Sequence, residues 1–453
     1  MKQRVVFLFY HGLSHIIAVL KVARILESAD YDVYFAGVDF FRPYVSSLGF
    51  KFKGLKSVPF GLGFESWVRT IEKEKYIYLS ALRDRITDRI YTEREVELFW
   101  MLEELHPDFV FIDSRQATDF IVLFRQLKDR KIKVAITSAM LPATVGAGHP
   151  PLNSEVFPND PVAIAQAIRL MRWNQFKTVW KEKLIHFGFD DQFIIKRRLK
   201  KNRIPDHYIS KSPSLLNFSV ENVDEFILAP REFDFPNSLN EPRQHYAGFM
   251  TNEIYDNKAE TNYAQLWPTI SQLKHNDNLN LVFCSFGTIE PKNINVILLF
   301  LKKLIQVSLR KTYILIIALK AKQEDIAELG ITSNVYLFNF VPQLEVLKHT
   351  DVFITHGGLN SIREGVHAEV PMLLYPIHTE YDPIGNAARI AYHRLGLRGN
   401  AITDTEEEID EKIKELLSNP VYKKCIQELK YRDSQYTAES FLQKLNSIKP
   451  LSI

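Results

Sequence analysis

Short apolar runs alternate with longer amphipathic stretches along nearly the whole chain, and this restricts the fold more than any other feature. A strand, a helix and another strand in succession build a mostly parallel sheet covered by helices. In the first half the apolar runs fall at residues 5–10, 31–36, 109–112 and 133–137. Between the first two, Ile16, Val19, Leu20, Ala23 and Leu26 recur on one helical face. From 229 to 262 the pattern breaks into a polar stretch punctuated by Pro230, Pro236 and Pro242. It then restarts, with strands expected at 280–286, 313–319, 335–338, 351–355 and 371–375, and helices at 293–308, from 360, and near 384–393.

A chain of 453 residues is too long for one ordinary core. The expectation is an α/β protein with two Rossmann-like domains facing across a cleft. Residues 1–235 form the first, 236–262 the connection and 263–432 the second, and a closing helix over 433–453 packs back on the first. The largely helical excursions at 64–105 and 158–203 leave room for a variable binding surface.

Bulk properties exclude several classes. Hydrophobic residues at 46% and charged residues at 25% are ordinary globular values. A net charge of +3 gives no case for nucleic acid. The one basic run, residues 196–203, reads as a solvated helix face, with weak peripheral contact to an anionic membrane as the sharper alternative. Cys284 and Cys425 are far apart in apolar stretches, which argues against a disulfide framework or zinc site and for a reducing compartment. No run approaches the ~18 apolar residues that span a bilayer. The first apolar run is short and is interrupted by His11, Ser14 and His15, so it reads as a buried strand rather than a leader. Cytoplasmic location is the expectation.

The sharpest local feature runs from Thr355 to Glu364, Thr-His-Gly-Gly-Leu-Asn-Ser-Ile-Arg-Glu, between an apolar strand and a helix start. Gly357 and Gly358 let the backbone approach a ligand, and the helix start offers unpaired N–H groups with a positive dipole end. That is an anion site suited to a diphosphate, and His356, Asn360 and Ser361 add side-chain donors. Ser361 and Glu364 also have the spacing of a capping box, which needs no ligand. Upstream, Phe340-Val341-Pro342-Gln343 supplies an aromatic face and an amide after another strand. Ser285, Gly287 and Thr288 end a third, and Pro376, Glu380, Asp382 and Asn386 crowd the loop after a fourth.

These segments, in this order, resemble the nucleotide-sugar domain of the glycosyltransferase family that contains plant natural-product, animal glucuronosyl and bacterial macrolide glycosyltransferases. That family's fold is of the GT-B type. The resemblance rests on Phe340 to Gln343, Thr355 to Glu364, Val370-Pro371, Pro376 and Asn386-Ala387, and is weak across 55–105 and 145–210. It implies that Phe340 stacks on uracil or thymine, that Gln343 and Glu364 hold the ribose, and that Ser285, His356, Asn360 and Ser361 hold the diphosphate of a UDP- or dTDP-sugar. Thr288, Val341, Gly357 and Gly358 line the same donor site. The sugar-contacting acidic-Gln pair is altered. It reads Asp382-Pro383 from one anchor and Glu380-Tyr381 from the other, so which hexose is carried stays open.

The same resemblance implies a base histidine after the first strand, in a Gly-His-x-x-Pro setting. Here Gly12-Leu13-Ser14-His15-Ile16-Ile17-Ala18 offers His15, with His11 as the rival. Neutral histidine suits removal of a proton from an acceptor hydroxyl, and needs a carboxylate to orient it. Asp113, at the end of the strand 109–112, resembles that partner. Asp108 reads as a strand-start residue and Asp119 as a helix-surface residue. The expected reaction is in-line displacement with inversion, with no cofactor and no metal. The acceptor is expected to be a small hydrophobic compound, in a greasy pocket near Trp67, Trp173 and Trp180. The alternatives are a nucleotide-sugar 2-epimerase and a non-catalytic nucleotide-sugar-binding homologue.

Overall fold

The computed structural model describes residues 2–146, 148–236, 242–251, 261–276, 279–287, 294–311, 313–320, 329, 334–377 and 381–451. Within these, two parallel sheets are present. The first contains β1 (Arg4–Leu8), β2 (Asp32–Val38), β3 (Lys51–Leu55), β4 (Phe109–Asp113), β5 (Lys133–Ser138), β6 (Asp224–Ile227) and β7 (Gln244–Tyr246). The second contains β8 (Leu281–Ser285), β9 (Ile314–Ala318), β10 (Val335–Phe338), β11 (Val352–Thr355), β12 (Met372–Leu374) and β13 (Gly396–Arg398). This is the two-domain α/β arrangement that the alternation predicts.

The strand orders are β3-β2-β1-β4-β5-β6-β7 and β10-β9-β8-β11-β12-β13. Each order reverses once, between β1 and β4 in the first sheet and between β8 and β11 in the second. At such a reversal the connections leave on opposite faces, and a crevice opens beyond the carboxyl ends of the two central strands.

The central strands are continuous apolar runs because both faces are covered. In the first sheet Val6, Leu8, Val110 and Ile112 face one core, while Val5, Phe7, Phe109 and Phe111 face the other. Phe7 stacks on Phe111 at 4.8 Å and on Phe35 at 5.3 Å. The second sheet divides the same way, Phe283 and Phe353 on one side, Cys284 and Ile354 on the other. The closing helix Ala438–Ser447 puts Phe441 and Leu445 into the core beneath the first sheet, with Phe441 at 4.9 Å from Phe226. β7 lies within the stretch expected to connect the domains and pairs with β6.

Two surface expectations are corrected in the helical excursions. Asp119 is fully buried rather than on a helix surface, and it receives Arg94 at 2.6 Å. The basic run turns inward at its arginines: Arg197 and Arg198 both reach Asp88, and Arg198 is fully buried. Among the described residues no helix is long and apolar enough to cross a membrane.

The domains meet through buried polar groups. Arg389, on the helix Pro383–Tyr392, pairs with Asp234 at 2.7 Å, both side chains being fully buried. Asp234 also accepts from Tyr246 Oη at 2.9 Å. The Gly385 N–H donates to Leu152 O at 2.8 Å, and a Cβ there would lie 2.1 Å from that oxygen, so only glycine permits the approach. Removing one member of a buried pair strands the other charge, at a cost of roughly 3–5 kcal/mol. Arg389→Met is therefore expected to lower the melting temperature by more than about 5 °C in thermal unfolding, allowing 2–4 °C per kcal/mol. An unchanged midpoint would show that the pair does not hold the domains.

Candidate active site

The crevices of the two sheets open towards each other, and the residues at their rims come from the segments singled out in the sequence. On the first side, β1 ends at Leu8 and the chain turns into the helix Leu13–Ser28, capped by Gly12 in extended conformation. His15 lies in its first turn. β4 ends in Asp113, across the strand reversal. His15 Nδ1 and Asp113 Oδ2 are 2.7 Å apart, with 12% and 3% of the two side chains exposed. The other carboxylate oxygen of Asp113 accepts from Arg115 N at 2.9 Å, which fixes its plane. With Nδ1 facing a carboxylate, Nε2 is the nitrogen left to take a proton.

His11 has a different setting. Its ring packs edge-on to Phe64 at 5.3 Å and parallel to Trp67 at 6.2 Å, and its buried Nδ1 has no hydrogen-bond partner. Burial, reinforced by the Arg94 charge, lowers its pKa to about 3. A proton acceptor that weak is a poor base at neutral pH. Asp108 accepts from Arg4 N at 2.8 Å, a strand-start contact.

On the second side, β8 ends in Ser285 and β11 in Thr355. Gly287 has φ +80°, and a Cβ there would come within 2.8 Å of the His356 ring. Gly357 has φ +93°, and a Cβ would meet Pro383 O at 3.0 Å. Gly287 thus leaves room for the His356 ring, and Gly357 leaves room for Pro383 at the start of the next helix. The helix Leu359–His367 is capped by Gly358 with no side-chain cap, so Ser361 and Glu364 do not form a capping box. Glu364 instead accepts from Gln343 Nε2, which brings the two residues assigned to the ribose side by side. Phe340 is 46% exposed, as a stacking platform and not a core residue would be, whereas Val341 beside it is buried in the core and offers a ligand no side chain. Ser361 is buried in the first turn of the helix. Asn360 donates to Ser14 O at 2.9 Å, so it faces the first domain instead of lying free for a phosphate. Thr288 and Glu380 lie outside the described residues.

Asp382 precedes the helix Pro383–Tyr392 and accepts from Asn386 Nδ2 at 2.9 Å. Asn386 also donates to Gly357 O at 2.9 Å, which ties the helix Pro383–Tyr392 to the glycine turn. Burial pushes the Asp382 carboxyl up, while the charges of Arg115 and His15 and the Asn386 bond pull it down. Arg115 was not picked out from the sequence. Its guanidinium lies 4.3 Å over the Tyr381 ring and 5.5 Å over Tyr10, between the two domains. Its position two residues after Asp113 was the available signal.

A cavity of about 180 Å3 opens beyond β4 and β5, lined by Ser114, Ser138, Met140, Leu141, Ser214 and Glu225. Its lining mixes serine hydroxyls with apolar side chains such as Ile136 and Leu216. The aromatic surroundings of His15 are Tyr10 at 5.1 Å and, beyond it, Phe64 at 6.1 Å. Trp173 and Trp180 are half exposed on a separate outer helix and do not line this cavity.

The family model described as UDP-glucoronosyl and UDP-glucosyl transferase matches residues 325–434. The chain is 28% identical over 233 residues to UDP-glycosyltransferase 2 of Phaeomoniella chlamydospora, covering 51% of this chain and 49% of that one. It is 34% identical over 113 residues to the uncharacterized UDP-glucosyltransferase YdhE of Bacillus subtilis (strain 168), covering 25% and 24%. The chain thus spans about half the length of the first relative and a quarter of the second. Among solved structures, the glycosyltransferase of kitacinnamycin superposes with TM-score 0.68 at 17% identity over 98% of this chain and 99% of that one. VinC, solved in complex with dTDP, superposes with TM-score 0.62 at 13% identity over 98% and 99%.

The two histidines separate by pH. His11 stays neutral from pH 8 to pH 5, so its ring resonances in NMR should not move. An unfolded histidine takes its proton near 6.5, so the unfolded state binds more protons below that pH and stability falls on acidification. His11→Gln removes on the order of 1–2 kcal/mol of that loss at pH 5. A His11 resonance titrating near pH 6.5 would contradict this. Gly357, the Gln343–Glu364 pair and the exposed Phe340 fall within the matched stretch; residues 325–434 are thus similar to the UDP-glucoronosyl and UDP-glucosyl transferase family, and the chain as a whole has the GT-B fold.

Proposed function

We propose that this protein is an inverting glycosyltransferase that moves a hexose from a UDP- or dTDP-sugar to a hydroxyl of a small hydrophobic acceptor. The observation that carries the reading is the His15–Asp113 contact of 2.7 Å, held one residue from where Asn360 of the donor helix reaches Ser14 O. A general base from one domain and a helix start from the other thereby face a common space.

In this mechanism the base of the nucleotide stacks on Phe340, and Gln343 and Glu364 hold the ribose. The diphosphate lies at the N-terminal turn of Leu359–His367, near His356, Ser361 and Ser285. Backbone N–H groups and the positive end of the helix stabilise the charge that builds on the leaving diphosphate. His15 Nε2 takes the proton of the acceptor hydroxyl as its oxygen attacks the anomeric carbon. The C–O bond to the diphosphate breaks on the opposite side. Asp113 keeps the imidazole in the correct tautomer and stabilises the imidazolium. Asp382 is the residue at the sugar position. The leaving group needs no bound cation on this reading. Tyr10, Phe64 and Trp67 give the acceptor an apolar wall. The intact His15–Asp113 pair argues against a homologue that has lost turnover.

General-base catalysis contributes about 10²–10⁴ in rate. His15→Ala is expected to lower turnover of UDP- or dTDP-sugars with hydroxyl acceptors by at least that range's lower end. Donor affinity by calorimetry should change less than about threefold, well under 1 kcal/mol. Phe340→Ala should do the reverse, weakening UDP binding while leaving the His15 contact intact. Retained turnover in His15→Ala sinks the base assignment, and unchanged affinity in Phe340→Ala sinks the platform.

A further inference from the structure

The helix Pro161–Ile185 is 25 residues long, yet only Ile164 and Met171 on it are buried. Its opposite face carries Trp173 (56% exposed), Phe176 (52%), Trp180 (50%) and Leu184 (74%) at spacings of three, four and four, so they form one stripe. The rings support one another, Trp173 stacking on Phe176 at 5.6 Å and Phe176 meeting Trp180 edge-on at 5.9 Å. Exposed aromatic area of this kind marks an interaction surface.

The charges beside the stripe identify the partner. Arg169, Arg172, Lys177, Lys181 and Lys183 are all exposed and flank it on both sides, against Glu182 as the sole acid of the helix. The helix therefore holds a net +4 in a chain whose total is +3, and everything else sums to −1. None of the five forms an ion pair with another described residue. In contrast, the arginines of the neighbouring basic run at 197 and 198 are neutralised internally by Asp88. The helix is not apolar enough to span a bilayer. An apolar stripe centred on tryptophan, bordered by cations, suits a helix lying in the head-group plane. The apolar surface continues beyond the helix, because Tyr78 Oη donates to Ile185 O and leads to exposed Leu79 and Tyr76.

We infer that the face presented by Trp173, Phe176, Trp180 and Leu184 docks this protein on an anionic lipid bilayer. Aromatic rings enter the interface, and the five cations contact lipid phosphates. Docking stands apart from the assignment of His15 and would hold if that assignment failed.

The test is sedimentation of the full-length protein with vesicles of phosphatidylcholine alone, or with phosphatidylglycerol replacing a quarter of it. The expected result is binding to the anionic vesicles, a blue shift of tryptophan fluorescence, and release by salt as surface charges are screened. The variant Trp173→Ala/Phe176→Ala/Trp180→Ala and the variant Lys177→Glu/Lys181→Glu should each bind at least about tenfold more weakly, at roughly 1 kcal/mol per cation. Both must keep wild-type circular dichroism and UDP affinity. Failure to sediment with either vesicle, or binding by both variants equal to that of the wild type, overturns the proposal. So does wild-type self-association that the triple variant abolishes without any vesicle binding, which would make the face an interface between copies.

Discussion

Everything at the cleft depends on how the helix Leu359–His367 is bolted to the first helix of the other domain. Arg363 is 1% exposed, and its guanidinium donates to Ile17 O at 3.2 Å and to Ala18 O and Phe249 O at 3.4 Å. A buried guanidinium without such acceptors would cost several kcal/mol, so the two helices cannot drift apart without a heavy penalty. One turn earlier, Asn360 donates to Ser14 O. These bonds set the distance between the turn that carries His15 and the turn that would hold a diphosphate. The Asp234–Arg389 pair secures the same interface from the next helix, Pro383–Tyr392, which packs into the same core as Leu359–His367. Domain docking and site assembly are one arrangement.

The reversal of strand order explains why these few residues suffice. His15 follows β1 and Asp113 ends β4, the two strands that flank the reversal of the first sheet. Ser285 ends β8 and His356 follows β11, which flank that of the second. Neither pair is close in sequence, and parallel pairing alone brings each together. The backbone then limits which residues fit, since a Cβ on Gly287 would collide with His356 and one on Gly357 would press on Pro383.

Much of this was legible beforehand because strands buried on both faces are written as unbroken apolar runs. β1, β4, β5, β8, β9, β10 and β11 all lie within two residues of where the runs place them. β3, β6, β7 and β13 were not foreseen. They are short or edge strands, Lys-Phe-Lys-Gly-Leu in β3 and Gln-His-Tyr in β7, and carry polar residues where pairing needs no apolar face. Asp119 misled because a carboxylate in a helix reads as surface, and its partner Arg94 is 25 residues away. Asn360 and Arg115 act across the cleft, and local pattern holds no record of the opposite wall. Trp173 and Trp180, expected beside a greasy pocket, stand half exposed on Pro161–Ile185, because aromatic content alone does not say whether a ring lines a pocket or an outer face.

The central claim is that a sugar held at the second sheet is attacked, in a single displacement, by a hydroxyl deprotonated at the first. The most direct measurement is the anomeric configuration of the product formed from an α-linked UDP-sugar, read from its proton coupling by NMR. The account predicts a β-linked product. An α-linked product would contradict it, because retention cannot arise from one in-line displacement across this cleft.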